Sequence, residues 1–317
     1  MINSVRNTVL SILNKNNYGY ISPSDFNLYA KQAQMEFFDE YFASYNKVVN
    51  MENSRLSGVD YANIRKPIEE TMESFSETKP LSKISNNIYS IPTLLTTGDE
   101  AYLINRVTCY STKATTGTNT SVVSFSLVNS AASFITAGVE SGDIVSNDTA
   151  GTSTTVVTVV NATTLLLSSN IFTTTAQTYS VYTSSKSKDA ERVSQSKIRM
   201  LITSLLTAPN EIFPAYIQER TNMTVYPKTI SGVGQVWAQY FRYPKDPKWT
   251  YISLVGGEPS FDQSQPDYQD FELPNEDEYK LIVKILQYCG VSIRETEVAQ
   301  FGVAQEQHEQ PSFSQKQ

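Results

Sequence analysis

Residues 14–25, NKNNYGYISPSD, have side chains and spacing that match parts of a calcium-binding EF-hand loop. Asn14, Asn16 and Asp25 fall at the first, third and twelfth positions of such a loop, where oxygen ligands bind the ion. Gly19 falls at the sixth position, where the loop needs a glycine. Calcium loops usually supply several carboxylates, however, and this stretch has Asp25 alone. The charge count therefore argues against a calcium site.

The start of a helix explains the same stretch better. Ser22 is a favourable N-cap, Pro23 suits the first helical position, and Asp25 stands where a carboxylate completes a capping box. Gly19 gives the preceding turn a permissive backbone. We therefore predict a corner between two helices.

The acidic segment from Glu258 to Glu278 is a second group that could do chemistry, with eight acidic residues and no basic one. Asp262, Asp267, Asp270 and Glu272 are candidates for a glycosidase-type carboxylate pair or for a calcium cluster. The same spacing is typical of a solvated acidic loop that leads into a helix N-terminus, and this interpretation is favoured.

Other reactive side chains are scarce. The one histidine, His308, lies in the polar segment 301–317, so a Ser–His or Cys–His pair is not expected in the body of the chain. Cys109 and Cys289 lack CxxC spacing. Trp237 and Trp249 could form a sugar-binding platform, but their strand spacing favours core positions. We therefore predict no catalytic residue, no metal site and no cofactor, and a protein that is not an enzyme.

Length and composition indicate a protein with a sizeable core. The 317 residues suffice for one large domain or for two to three smaller ones. The formal net charge of −7 disfavours tight nonspecific binding to nucleic acid or to an anionic membrane. We expect neither a signal peptide nor a membrane span, because the first residues lack a cleavage site and no run is apolar enough.

Two helices are predicted in residues 1–50. Apolar residues recur at helical spacing from Ile2 to Leu13 and again from Phe26 to Val48. The second helix has a wide aromatic face, broader than one small neighbouring helix would cover. Core packing would explain this face, and so would a contact between subunits. The candidates for a subunit interface are Tyr29, Phe37, Phe38, Tyr41 and Phe42.

The composition changes abruptly between residues 114 and 185. This segment has three acidic residues, neither Lys nor Arg, and many Thr, Ser and Val. Five short alternating runs predict a small antiparallel barrel or sandwich. We therefore predict a discontinuous core of residues 1–113 and 186–300, an inserted β-domain of residues 114–185, and an extended polar tail of residues 301–317.

The segments after the insertion predict further helices and strands. A helix ending at Pro209 would bury one apolar face, formed by Val193, Ile198, Leu201, Ile202, Leu205 and Leu206. Residues 222–230 and 234–249 alternate as the two strands of a hairpin around residues 231–234. A last helix begins near Asn275. The fold class is therefore α+β: a helical core with an antiparallel hairpin or sheet and an inserted small all-β barrel or sandwich.

Two stretches resemble structural proteins of tailed bacteriophages, in particular the crAss-like phages. The first is NTVLSILNKNNYGYISPSDFNLYAKQAQMEFFDEYF, and the second is TVYPKTISGVGQVWAQYFRYPKDPKW followed by FELPNEDEYKLIVKIL. They cover about a third of the chain. Residues 134–182 separately resemble a small β-module that is widespread in phage virion proteins.

The resemblance implies an adaptor-like subunit of a ring beneath the portal of a short-tailed virion. Such a ring joins capsid to tail at the head–tail junction and extends the DNA channel; its subunits are made in the host cytoplasm. The implied partners are further copies in a closed ring of twelve, the portal protein, and the next tail ring or nozzle proteins. Double-stranded DNA would pass through the lumen without specific binding, and no membrane partner is implied.

In such a ring, the acidic segment 258–278 and the polar tail 301–317 would each have a candidate role. The acidic candidates for lining the channel are Glu258, Asp262, Asp267, Asp270 and Glu272, because negative charge repels phosphate. The candidates for docking on a portal or neighbouring subunit are Phe301, His308 and Phe313 of the tail. The alternative is another tail-ring or decoration subunit whose β-module binds a partner protein or a host glycan.

Overall fold

The computed structural model describes residues 1–13, 21–55, 66–254, 256 and 258–293. Helices and mainly antiparallel sheets are both present, so the predicted α+β class is confirmed. The helices are α1 (Ile2–Leu13), α2 (Pro23–Arg55), α3 (Lys66–Ser74), α4 (Leu94–Thr97), α5 (Gln195–Thr203) and α6 (Glu278–Ile293). The strands of the first half are β1 (Ser76–Pro80), β2 (Lys83–Ser85), β3 (Ile88–Ser90), β4 (Ala101–Cys109), β5 (Lys113–Thr118), β6 (Ser121–Val123), β7 (Ser126–Val128), β8 (Ile144–Asn147) and β9 (Thr152–Asn161). The remaining strands are β10 (Thr164–Leu167), β11 (Thr178–Tyr182), β12 (Lys188–Asp189), β13 (Glu191–Arg192), β14 (Ala215–Gln218), β15 (Asn222–Tyr226), β16 (Val236–Arg242), β17 (Tyr251–Ser253) and β18 (Pro259–Phe261).

The chain forms two compact units. The first combines Met1–Phe75 with Pro244–Gln317, and the second is Ser76–Tyr243. These units do not coincide with the boundaries predicted at residues 113 and 186. The predicted division into a core, an inserted β-domain and a tail stays a prediction. Most of the calcium-like stretch, residues 14–20, lies outside the described residues, and so does the predicted docking tail with Phe301, His308 and Phe313.

The core of the first unit lies between α1, α2 and α6. Its fully buried members include Val5, Phe26, Ala30, Leu281 and Ile285. The N-cap half of the predicted capping box is confirmed at the start of α2, because the backbone N–H of Asp25 donates to the Ser22 hydroxyl at 3.2 Å. That hydroxyl in turn donates to the Asp25 carboxylate at 2.7 Å.

Two sheets share one core in the second unit. One has the order β1-β16-β4-β12 and the other the order β13-β14-β15-β3-β2. Side chains from both sheets meet in a buried cluster that includes Tyr89, Val107, Met223, Val236 and Tyr240. The register of β4 against β16 shifts, because Tyr240 pairs with Ile104 and Gln239 with Arg106. This bulge allows Ile104 and Val107 both to face the core, although an unbroken strand would place them on opposite faces.

The predicted hairpin around residues 231–234 is wrong. β15 pairs with β14 and β3, whereas β16 pairs with β1 and β4, so the two strands belong to different sheets. The segment between them is too long for a tight turn to impose a register. It also carries Ile230, which is buried in the shared core.

The segment from Lys113 to Tyr182 forms a seven-stranded sheet of order β5-β11-β8-β9-β10-β7-β6. The first and last strands of this order, β5 and β6, are successive parts of one extended segment. The segment changes partner at its middle, where Asn119 N–H donates to Gln177 O and Thr120 N–H donates to Val128 O. The sheet therefore closes on itself as a small barrel, one of the two predicted forms, around a core that includes Leu127, Phe134 and Phe172.

Candidate interaction surface

The aromatic face of α2 is largely used inside the first unit. Phe38 is fully buried, and its ring contacts Phe75 edge-on at 5.1 Å and stacks on Phe42 at 6.4 Å. Tyr29, Phe37 and Tyr41 are partly buried against the core, and Tyr29 stacks on Tyr288 of α6 at 6.3 Å. Phe38 is thus inaccessible to a second chain, whereas an intersubunit role of the four partly exposed residues stays a prediction.

The polar edge of this face ties α2 to α6. Tyr41 donates its hydroxyl to the buried carboxylate of Asp277 at 2.5 Å. Burial, followed by this hydrogen bond to a carboxylate, raises the pKa of the Tyr41 phenol well above its usual value. Glu36 accepts a hydrogen bond from the Tyr288 hydroxyl. Its carboxylate also forms an ion pair with Lys284, with Oε2 at 2.6 Å from Nζ. The face therefore acts as a helix–helix contact within the chain.

The acidic segment forms ordered turns that hold the first unit together. Asp270 accepts hydrogen bonds from the N-terminal ammonium of Met1 at 3.0 Å and from the backbone N–H groups of Ile2 and Phe271, each at 2.8 Å. Partial burial pushes the pKa of Asp270 upward, but the hydrogen bonds from these donors prevail and leave it lowered. Asp270 thus anchors the start of α1.

Three other acidic candidates have similar structural roles. Asp262 accepts from the hydroxyl and backbone N–H of Ser264, which lowers its pKa. Asp267 forms an ion pair with Lys248. Glu272 accepts from the backbone N–H of Lys245 at 2.8 Å. A lumen-lining role of these residues stays a prediction. Within the described part of the chain, Glu258 is the one candidate of the five that is exposed and whose carboxylate forms no hydrogen bond or ion pair.

Within the described residues, no three side chains of His, Cys, Asp or Glu converge as they would to hold a metal ion. Trp249 lies in the core, with Arg6 over its ring at 3.8 Å and with Tyr251 and Phe261 stacked against it. Both cysteines are buried, and burial raises the pKa of each thiol to about 12. Such thiols are weak nucleophiles near neutral pH.

A cavity of ≈ 260 Å³ lies beside the barrel in the second unit. Lys83 and Lys113 line it but are exposed to solvent, and Tyr182 lines it with a fully buried ring. The Tyr182 hydroxyl lies against Gly232, where an added Cβ would clash with the oxygen. The Tyr182 hydroxyl is thus packed against Gly232 and has almost no surface exposed to solvent.

The most unusual surface is formed by apolar side chains between Met200 and Phe213. The sequence predicts a helix that continues to Pro209, but α5 ends at Thr203. The Thr203 hydroxyl donates hydrogen bonds to Arg199 O and Met200 O, one turn earlier in α5. Ser204 then adopts an extended backbone conformation. Because the helix ends early, the predicted burial of Leu205 and Leu206 is wrong, and both are almost fully exposed.

We call the six exposed apolar side chains of this segment the apolar strip. Leu205 and Leu206 are 102% and 97% exposed, and Met200 and Phe213 are each 74% exposed. The strip consists of Met200, Ile202, Leu205, Leu206, Ile212 and Phe213. Sequence reasoning missed it because the helical spacing of Ile202, Leu205 and Leu206 favours burial, and it made no prediction for Met200, Ile212 or Phe213. The Thr203-Ser204 pair was the available signal, since both residues favour helix ends.

A smaller apolar patch lies at the turn between β6 and β7 of the barrel. Val122, Val123 and Phe125 are each about half exposed, and Phe125 has a φ of 56°. A positive φ is unfavourable for a bulky side chain. The turn nevertheless displays an aromatic ring at its tip.

Comparison with known proteins finds no matching family and no matching curated protein. One solved structure with a partial likeness is the phage phi92 endosialidase, at 18% sequence identity and a TM-score of 0.15. The likeness covers 36% of this chain and 20% of that protein, so this chain matches a fifth of its length. At this TM-score the likeness carries no argument about fold or function. Among the described residues, no helix has the length and apolar character needed to cross a bilayer.

Proposed function

We propose that the protein is a virion structural subunit that forms a ring beneath the portal, joins capsid to tail and extends the DNA channel. The observation that carries this proposal is the amount of apolar surface left uncovered in each unit. In the second unit Leu94 and Leu95 of α4 are exposed in addition to the apolar strip. In the first unit Tyr251, Ile252 and Leu254 of the β17 region are exposed.

A monomer that functions alone rarely exposes several such surfaces, because each one lowers its solubility. A ring subunit needs them, since a heterologous interface presents one surface of each copy to a different surface of the next. Contacts with the layers above and below the ring would require further surfaces. The resemblance of residues 7–42, 224–249 and 271–286 to phage structural proteins supports a virion ring in preference to another assembly.

The proposed partners are other copies of the chain in a closed ring of twelve, the portal protein, the next tail ring or nozzle proteins, and double-stranded DNA that passes through without specific binding. The proposed location is the head–tail junction of the virion. The structural roles of Asp262, Asp267, Asp270 and Glu272 affect how a channel-lining role can be tested. Reversing their charges would disturb the turns, so Glu258→Lys is the cleaner probe of DNA ejection.

Electron microscopy of the purified protein, alone and mixed with the portal protein, tests the proposal directly. We expect closed rings that stack coaxially on the portal. A protein that stays monomeric in both samples, or that is found elsewhere in the particle, would overturn the proposal. Turnover of a substrate by the isolated protein would also contradict it.

A further inference from the structure

The barrel is connected to the rest of the second unit through two neighbouring strands. Lys113 of β5 pairs with Tyr182 of β11, and the chain continues from both residues into the two sheets that share a core, which we call the host sheets. A folded part that is joined to its neighbour by such a connection alone is free to move relative to it. The direction of the barrel therefore depends on further contacts with the host sheets.

One flank of the barrel is covered although its side chains face outward. Val145 of β8 and Val181 of β11 point into the barrel core. Because successive side chains of a strand point to opposite faces, Ile144 and Tyr182 next to them point away from that core. Both are nevertheless buried, at 2% and 0% exposure. A segment outside the barrel core must therefore cover this flank.

The covering segment is residues 231–235, between β15 and β16, which we call the seat loop. An ideal Cβ on Gly232 would lie 2.2 Å from the Tyr182 hydroxyl oxygen. An ideal Cβ on Gly234 would lie 2.6 Å from Ser153 Cβ and 3.4 Å from Ile144 Cγ2. Real Cβ atoms essentially never come within 3.0 Å of such neighbours. The two glycines thus allow an approach of loop and barrel that a side chain would prevent.

The contact with the seat loop extends well away from the connecting strands. The barrel strands follow in the order β5, β11, β8 and β9, and Ser153 lies in β9. At about 4.8 Å between neighbouring strands, Ser153 is about 14 Å along the sheet from β5. A contact at this distance from the connection resists bending about it.

The seat loop is itself held by the host sheets. The Tyr89 hydroxyl of β3 donates to Gly232 O at 3.0 Å, and the indole N–H of Trp237 donates to Gly234 O at 2.9 Å. Gln235 Oε1 accepts from Gly232 N–H at 2.5 Å, and Tyr110 N–H donates to Gln235 O at 2.7 Å. The loop therefore presents a fixed surface to the barrel.

We propose that the seat loop fixes the direction in which the barrel projects from the host sheets, with Gly232 and Gly234 as the positioning residues. This inference goes beyond the proposed function and does not depend on it, because it concerns a single copy of the chain. In a closed ring, a barrel of fixed direction would occupy the same place in every copy.

The test measures distances by pulsed electron paramagnetic resonance between spin labels on Thr175→Cys of the barrel and Arg220→Cys of the host sheets. Both positions are exposed, whereas the two native cysteines are buried. Labelled protein is diluted with unlabelled protein, so that distances within one copy are measured. We expect one narrow distance distribution in the protein that carries only the two labels.

Gly232→Ala should broaden this distribution at least about twofold, because the fully buried Tyr182 ring has no free space into which its hydroxyl could move. Gly256→Ala is the matched control. Neither glycine has a left-handed φ, and a Cβ on Gly256 would meet no heavy atom within 4 Å. We expect the control to keep the narrow distribution. Gly232→Ala/Tyr182→Phe removes the oxygen that the new Cβ meets, and it should narrow the distribution again.

A variant on the barrel side tests the same contact without changing the seat loop. Ser153→Leu adds a side chain where Ser153 faces Gly234, and we expect it to broaden the distribution as well. Thr158→Leu is its matched control, since Thr158 lies in the same strand but is exposed. We expect Thr158→Leu to behave like the protein without either substitution.

Several outcomes would overturn the inference. A broad distribution in the labelled protein without further substitution would show that the barrel direction is not fixed. An unchanged distribution in Gly232→Ala, or equal broadening by Gly256→Ala, would remove the role of Gly232. If Gly232→Ala failed to fold, equal widths for Ser153→Leu and Thr158→Leu would contradict the inference instead. None of these results affects the ring proposal, which only the absence of rings on the portal would contradict.

Discussion

The aromatic face of α2 and the apolar strip are both rich in large apolar side chains, but the chain uses them in opposite ways. The α2 face is wide enough to suggest an intersubunit contact, yet it packs on α6 and α3, and Phe38 is fully buried. The strip has the spacing of a buried helix face, yet Leu205 and Leu206 face solvent. Periodicity therefore identifies an apolar surface without showing which chain covers it.

The difference between the two surfaces comes from where each helix ends. α2 continues for 33 residues, so its successive turns reach α6 and α3. α5 stops after 9 residues at Thr203, before Leu205 can join the face that includes Ile198. A single early helix end thus turns a predicted core surface into an exposed one.

The contrast between the two surfaces is tested most directly by substituting Phe38 of the α2 face and, separately, Leu205 and Leu206 of the apolar strip. Phe38→Ala leaves a cavity between Phe42 and Phe75 and should lower the free energy of unfolding by about 3–5 kcal/mol. Leu205→Ser/Leu206→Ser should change it by less than about 0.5 kcal/mol, because neither side chain loses packing within the chain. Urea denaturation at a concentration low enough to prevent association measures both. If both variants lost a similar amount of unfolding free energy, Leu205 and Leu206 would be packed within the chain.

The polar edge of the α2 face allows a finer test. Tyr41→Phe leaves the Asp277 carboxylate buried without this donor and should cost about 1–3 kcal/mol. Because the pKa of Tyr41 is raised in the folded protein, its contribution is complete below the phenol pKa of the unfolded chain and is lost as the pH rises beyond it. The alkaline loss of stability should therefore be smaller in the variant. Tyr29→Phe, which keeps the ring stacked on Tyr288, is the matched control and should behave like wild type.

The smallest expected effect concerns the acidic segment of the same unit. Asp270→Asn weakens three hydrogen bonds at the start of α1 and should cost about 1–2 kcal/mol after allowance for partial exposure. The pKa of Asp270 is lowered, so its contribution is complete above the aspartate pKa of the unfolded chain, about 3.9, and is lost as the pH falls below it. Thermal melts between pH 3 and pH 7 should show a shallower acid dependence in the variant.

Asp267→Asn is the control for this measurement, because it removes an exposed ion pair with Lys248. We expect its melts to follow those of wild type. If Asp267→Asn destabilised the protein as much as Asp270→Asn, the anchoring role of Asp270 would be contradicted.

Local signals in the sequence predicted much of the fold. The Ser22-Pro23-Ser24-Asp25 cap, the apolar periodicity of α1 and α6, and the change of composition near residue 114 each act within a few residues or one segment. The failures depend on long-range pairing. β15 and β16 look like one hairpin because both alternate, but their partners β3 and β4 come from much earlier in the chain.

The candidate surface was less predictable for the same reason. Whether Leu206 is buried depends on tertiary packing beyond α5. Whether the Asp270 carboxylate has hydrogen-bond partners depends on where the fold places Met1 and Ile2. The acidic residues show this most clearly. Their spacing fits a solvated loop, but four of the five candidates form defined bonds with other parts of the chain or with their own turns.

The pairing of β5 with β11 has a consequence for how such a chain evolves. Lys113 and Tyr182 lie opposite each other, so the barrel leaves and re-enters the rest of the second unit at adjacent points. Cys109 and Lys188 just outside it are also paired, in β4 and β12. A deletion of the intervening residues would need only a short turn to join two strands that are already neighbours. An insertion or loss of the barrel at these two points would therefore leave the pairing of β4 with β12 in place.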